Sequence, residues 1–303
     1  MTTANAKGSE FIPVPVTDPS GRGRWNFTVG DGRLALIAGP CSLESLDLGL
    51  EIATTMWDLC KALSISYIFK ASFDKANRTS LSGYRGPGLE RGLEELRTIG
   101  ERVGVPVLTD IHEAWQADVA AKAVDVLQIP AFLCRQTDLL VAAARTGKPM
   151  NVKKAQFLAP WDMANVVEKC RSGGSSSVML CERGTTMGYG QLVVDMRSLP
   201  VLRSFGCPVV FDGTHSVQMP GAAGSSSGGD RRFVQALVRA AVAVGVDALF
   251  LETHPHPERA KSDGPNLVPL RAMRPLLEQV MALHETAGRL GASRLDWAEE
   301  EER

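Results

Sequence analysis

No apolar run in these 303 residues approaches the roughly 20 needed to cross a bilayer, so no membrane-spanning helix is expected. The opening MTTANAKGSE has no apolar core, and no secretory leader is expected there. Net charge is nearly absent. With 33 Lys and Arg against 34 Asp and Glu, no global field recruits nucleic acid or an anionic membrane. The six cysteines include no Cys-x-x-Cys, which argues against a disulfide framework and predicts a cytoplasmic protein. No Gly-x-Gly-x-x-Gly follows the first strand-like run, which disfavours a dinucleotide-binding open sheet.

What is present is a rhythm. Short apolar runs occur at 34–40, 66–72, 106–111, 126–131, 150–155, 178–184, 208–215 and 248–254. Between them lie helical patterns such as Leu46–Leu63, Leu89–Val103, Ala114–Ala123 and Phe233–Val244. Continuous apolar strands alternating with helices signal a parallel sheet covered on both faces. Eight such repeats in roughly 250 residues predict an α/β protein, a (β/α)8 TIM barrel. The lead, residues 1–32, carries two alternating stretches around Pro19–Gly21 and reads as an N-terminal β-hairpin extension at the bottom of the barrel. Residues 33–290 form the catalytic barrel, and 291–303 an acidic, solvated tail. The stretch PGAAGSSSGGD, 220–230, is too small and polar to pack, and its place after strand seven predicts a mobile active-site loop.

In such a barrel the chemistry lies where strands end. Read in order, those ends offer Cys41, Lys70, Asp110, Gln128, Lys153, Arg183, His215 and Glu252. Lys70, Lys75, Arg78, Lys153 and Arg183 are a cluster of cations in a nearly neutral chain, which suits a substrate bearing several phosphates or carboxylates. Pairing with Asp74, Asp110 or Glu182 is the plainer alternative for some of them. Cys41, His215, Glu252 and Asp263 form a second set, with the donor types of a divalent transition-metal site. Strands one and eight become neighbours when a barrel closes, which is the reason to group them. A buried Cys41 and a proline-stiffened HPHPE loop are the alternatives.

Eight stretches then resemble one family. AGPCSLES, FKASFDKANRTS, TDIHEAWQA, LQIPAFLCRQTDLL, NVKKAQFLAPWDM, ERGTTMGYGQLVVDMRSLP, FDGTHSVQMPG and ETHPHPERAKSDGPNLVPL occur in the order seen in 3-deoxy-D-manno-octulosonate 8-phosphate synthases. The resemblance runs from about residue 33 to 287. It implies a transferase, usually a homotetramer. The reaction it implies condenses phosphoenolpyruvate with D-arabinose 5-phosphate and water on the way to lipopolysaccharide. The sister family, 3-deoxy-D-arabino-heptulosonate 7-phosphate synthase, shares the fold but has Lys-Pro-Arg-Thr where this chain reads KANRT, Lys75 to Thr79. A phosphosugar-binding barrel without activity is the other alternative.

Carried onto this chain, the resemblance places Lys75, Lys153 and Arg183 on phosphoenolpyruvate, with Lys70 beside them. Arg78 and Thr79 fall on the phosphate of the aldose, and Ser72, Asn77, Asp110 and Gln128 on the substrate side of the site. Arg135 matches an arginine that reaches a neighbouring subunit's sugar phosphate. Lys75, Lys153, His215, Asp263 and Cys41 are the catalytic candidates, and Cys41, His215, Glu252 and Asp263 the metal ligands. The metal is one of Zn, Mn, Fe or Co. Metal-independent relatives typically carry asparagine at the position of Cys41, so the ligand set points to the metal-dependent class. The flank KSDGPN partly resembles the metal-independent loop.

Overall fold

A computed structural model describes residues 9–21, 23–188, 190–219 and 228–290. Eight parallel strands close into a barrel: β1 Ala35–Gly39, β2 Ser66–Lys70, β3 Val107–Asp110, β4 Val126–Ile129, β5 Met150–Lys153, β6 Val178–Glu182, β7 Val209–Asp212 and β8 Ala248–His254. Closure comes from β8, which pairs with β7 on one side and β1 on the other. The helices α1 Leu46–Ala62, α2 Leu89–Val103, α3 Gln116–Ala121, α4 Thr137–Arg145, α5 Met163–Ser172, α6 Ser198–Arg203, α7 Val234–Val244 and α8 Met273–Leu290 follow the strands in turn. The pattern over 114–123 yields a shorter helix than expected, because Ala114 and Trp115 belong to the turn that enters α3.

Alternation along the strands divides the core. Ala35, Ile37, Ile68, Leu108, Val126, Met179, Cys181, Val210, Ala248 and Phe250 fill the barrel interior. Their odd-register neighbours, such as Leu36, Tyr67, Leu127 and Phe211, pack outward with the helices. Six of the interior runs continue two residues further into a polar side chain: Ile68 to Lys70, Leu108 to Asp110, Val126 to Gln128, Cys181 to Arg183, Val210 to Asp212, Phe250 to Glu252. The polar layer is therefore the top of the same column of side chains.

The bottom is closed by the hairpin. Val14–Thr17 pairs antiparallel with Asn26–Val29, and Val14, Val16, Trp25 and Val29 join the interior cluster. The turn is fastened by Asp18, whose carboxylate accepts from the Arg24 side chain at 3.0 and 3.1 Å and from the Ser20 backbone at 2.9 Å. Of the loop at 220–230, residues 220–227 lie outside the described residues, as does the tail 291–303. The flanks Gln218–Met219 and Gly228–Gly229 pair as a short antiparallel ribbon.

At the top of β1 the chain must pass close to β2. A side chain on Gly39 would place its Cβ 1.9 Å from the backbone oxygen of Lys70. Ser45 then starts α1 by accepting the Leu48 N–H at 3.2 Å. Cys41 is thus held between an obligatory glycine and a helix cap. Gly39→Ala is expected to force β1 and β2 apart and to cost at least the ~1–3 kcal/mol typical of overpacking. Urea unfolding measures it, and an unshifted midpoint would show that the strands separate freely.

Candidate active site and metal-ligand cluster

Above the polar layer lies a cavity of about 850 Å³. Lys70, Ser72, Lys75, Asn77, Arg78, Thr79, Asp110, Gln128, Lys153 and Arg183 all line it, together with His215, Glu252 and Asp263. Arg135 does not: it is exposed on the loop after β4. The plainer pairings proposed for the cations are mostly not made. Asp74 binds Arg85 at 2.6 Å, and Glu182 lies 3.5 Å from Lys154. Asp110 accepts from Ser72, which in turn accepts from Lys75 Nζ at 3.1 Å.

Cys41, His215, Glu252 and Asp263 each offer a donor atom, all within 4.8 Å of one another. The strand register explains the meeting, since Glu252 lies opposite Gly39 and Phe250 opposite Asp212. Cys41 Sγ is 3.2 Å from Asp263 Oδ2, and His215 Nε2 is 3.5 Å from Glu252 Oε2 and 3.9 Å from Asp263 Oδ2. Asp263 takes the left-handed backbone, φ 52°, that aims its carboxylate back over the strand ends. Glu252 Oε2 is buried without a hydrogen-bond partner among the described residues, while Oε1 accepts from Lys70 Nζ at 2.6 Å. A buried carboxylate oxygen left free beside a thiol, an imidazole and a second carboxylate fits a divalent transition metal.

The electrostatics are those of interlocked opposite charges. Burial would push Glu252 up, but His215, Lys70, Lys75 and Lys153 hold it down to about 2. Burial pushes the Cys41 thiol well up, with Glu252 adding to it and Lys75 opposing. Lys75 is pulled down by burial, yet Cys41, Glu252, Asp110 and Asp263 raise it above the ordinary lysine range. Burial also pulls Arg183 down, against Asp212 and Asp263.

Sequence reading missed the residues that orient this set. Asp212 is fully buried, accepts from the His215 backbone N–H at 2.9 Å, and sits 2.7 Å from His215 Nδ1. It also pairs with Lys153, whose Nζ rests 3.5 Å over the Phe250 ring. One carboxylate therefore fixes both an imidazole and an ammonium, and those charges hold it well below the usual carboxylate range although burial opposes them. Gln218 is a second link. Its Oε1 accepts from Arg183 Nη2 at 2.7 Å while its Nε2 donates to Asp263 Oδ1 at 3.0 Å. His112 is a third, 2.9 Å from Asp110 Oδ2. Asp212 had a signal, standing two residues beyond the interior Val210. Gln218 and His112 had none, because neither stands on a barrel strand.

Comparison with known proteins gives the family. Residues 14–287 match the DAHP synthetase I family. The chain belongs to that family. Within it, a 2-dehydro-3-deoxyphosphooctonate aldolase of Desulfotalea psychrophila is 58% identical over 270 residues, covering 89% of this chain and 95% of the relative. The protein of that name from Cyanothece sp. is 60% identical over 259 residues, 85% of this chain and 95% of its own. That from Nitrobacter hamburgensis is 59% identical over 264 residues, 86% and 92% respectively.

Proposed function

We propose that this enzyme condenses phosphoenolpyruvate with D-arabinose 5-phosphate and water, giving 3-deoxy-D-manno-octulosonate 8-phosphate and inorganic phosphate. The observation that carries the reading is one cavity in which Lys70, Lys75, Arg78, Lys153 and Arg183 converge beside the Cys41–His215–Glu252–Asp263 cluster. Relatives at 58–60% identity, named for an eight-carbon phosphorylated deoxy acid, support that choice over the seven-carbon branch. The sequence KANRT supports it too.

Lys153 holds the phosphoenolpyruvate carboxylate, and Arg183 with Lys75 its phosphate. Arg78 and Thr79, at the outer part of the cavity, hold the phosphate of the aldose, with Ser72, Asn77, Asp110 and Gln128 along its length. C3 of phosphoenolpyruvate attacks the aldehyde carbon, whose oxygen takes up a proton, and water adds at the electron-poor C2 and gives up its protons. The bond between C2 and the bridging oxygen then breaks as the C2 ketone forms, and inorganic phosphate leaves with that oxygen. The fixed cations stabilise the charge that develops on phosphate and carboxylate without rearranging. Cys41, His215, Glu252 and Asp263 would hold a divalent metal, Zn, Mn, Fe or Co, which supplies Lewis acidity next to the reacting carbons when bound.

The active form is a cytoplasmic homotetramer in which the exposed Arg135 reaches the sugar phosphate of a neighbouring subunit. Exposed Phe132, Phe157 and Trp161, on the loops after β4 and β5, support a covered face there. Phosphate release with phosphoenolpyruvate and each aldose tests the assignment. D-arabinose 5-phosphate is expected to be the preferred partner, and a preference for erythrose 4-phosphate would move the chain to the seven-carbon branch.

A further inference from the structure

We propose that a buried ion pair behind the barrel wall, Lys154 with Glu182, is a positioning device for the two cations that hold phosphoenolpyruvate, Lys153 and Arg183. The inference rests on the roles given to those two cations above.

Alternation places the two pairs back to back. Lys153 and Arg183 face the cavity, while their neighbours Lys154 and Glu182 turn outward and do not line it. Both outward side chains are essentially inaccessible, at 0 and 1% exposure, and Lys154 Nζ lies 3.5 Å from Glu182 Oε1. Neither is an idle charge. Glu182 Oε1 accepts the backbone N–H of Arg183 at 3.0 Å and that of Gly184 at 2.6 Å. Lys154 Nζ contacts the carbonyls of Ala155 at 3.2 Å, Leu158 at 3.3 Å and Gly184 at 3.5 Å, and Thr185 Oγ1 at 3.1 Å.

The peptide groups on either side of Gly184 are therefore gripped by opposite charges. Its N–H goes to the carboxylate and its C=O to the ammonium, just where the chain turns through a positive φ of 89° after Arg183. The same ammonium ties down the loop after β5, directly beyond Lys153. A buried ion pair adds little net stability compared with well-packed apolar side chains, so energy of folding is a poor reason for two charges here. Fixing the spacing of Lys153 and Arg183 is a better one. They must meet a carboxylate and a phosphate on one small rigid molecule.

Three variants test this: Lys154→Met, Glu182→Gln and the charge-neutral double. Calorimetric titration with phosphoenolpyruvate alone gives Kd, steady-state rates give both KM values, and thermal unfolding gives Tm. Each variant is expected to weaken phosphoenolpyruvate binding about tenfold, within the ~100-fold that misplacement by about 1 Å can cost, with the aldose KM held to about twofold. The double variant is expected to recover Tm but not Kd, because the Gly184 carbonyl stays unheld. If Lys154→Met alone does not fold, the double carries the same comparison. A folded double variant that binds phosphoenolpyruvate as tightly as the native enzyme overturns the proposal, as does an equal rise in both KM values. Lys153→Met is the control for the assignment beneath it. Native affinity in that control overturns the role of Lys153, while lost affinity there with native affinity in the Lys154 variants overturns the pair alone.

Discussion

Cys41→Ala is expected to lose tightly bound metal and to cut kcat/KM by more than about 100-fold, above the ~10–100-fold that outer partners of a metal ligand command. The reason is local. Cys41 supplies the one sulfur among four donors that lie within 4.8 Å, and its side chain is buried. Its scaffold role belongs to the backbone instead. The Cys41 carbonyl accepts from Lys70 Nζ at 2.7 Å, and alanine keeps that bond. Loss of metal is thereby separated from loss of the Lys70–Glu252 pair. Metal content after dialysis and phosphate-release rate measure the two effects. Chelation of the native enzyme is expected to cause a comparable loss, reversed by adding back Zn, Mn, Fe or Co. Full activity of the chelated enzyme would refute the metal reading. Cys41→Asn, which installs the residue typical of metal-independent relatives, is expected to keep weak turnover that chelators do not touch.

Arg183→Met is expected to lower kcat/KM by about 10²- to 10³-fold, the cost of removing one preorganised charge-stabilising donor. The KM for phosphoenolpyruvate should rise with it. Arg183 is buried, and its Nη1 has no hydrogen-bond partner among the described residues. Nη2 is committed to Gln218, which reaches on to Asp263. The guanidinium thus has one nitrogen open to an anion, and the other is linked through Gln218 to the loop that carries Asp263. Arg183→Lys is expected to recover only part of the loss, since a single ammonium cannot fill both positions of the planar fork. Initial rates at varied phosphoenolpyruvate and fixed aldose distinguish the cases. A change confined to the aldose KM would place Arg183 on the other substrate.

Much of the fold was legible because each strand carries its own pattern. Val209–Asp212 and Ala248–His254 read as strands from their apolar runs, and α2 follows its periodicity over Leu89–Val103. The polar strand ends were legible for the same reason, each interior column ending in a residue that chemistry can use. The partners of those residues were not. Lys70 reads as a substrate cation, yet its ammonium is 2.6 Å from Glu252, which is 182 positions away. Lys153 reads the same way, and Asp212 holds it from β7, two strands away. Glu182 was one candidate partner for the cavity cations and instead faces outward to Lys154.

By itself the sequence determined the repeat, the inward column of every strand and the inventory of cations, carboxylates, imidazole and thiol at the column tops. Only the tertiary structure decided which of them meet. Pairing β8 with both β7 and β1 sets Glu252 beside Gly39 and brings Cys41, His215 and Asp263 around it. The left-handed turn at Asp263 and the double grip of Asp212 complete the set. Alternation is a local property of the extended chain and is written residue by residue. Register, closure and the choice of hydrogen-bond partner depend on groups distant in sequence, and exist only once the barrel has shut.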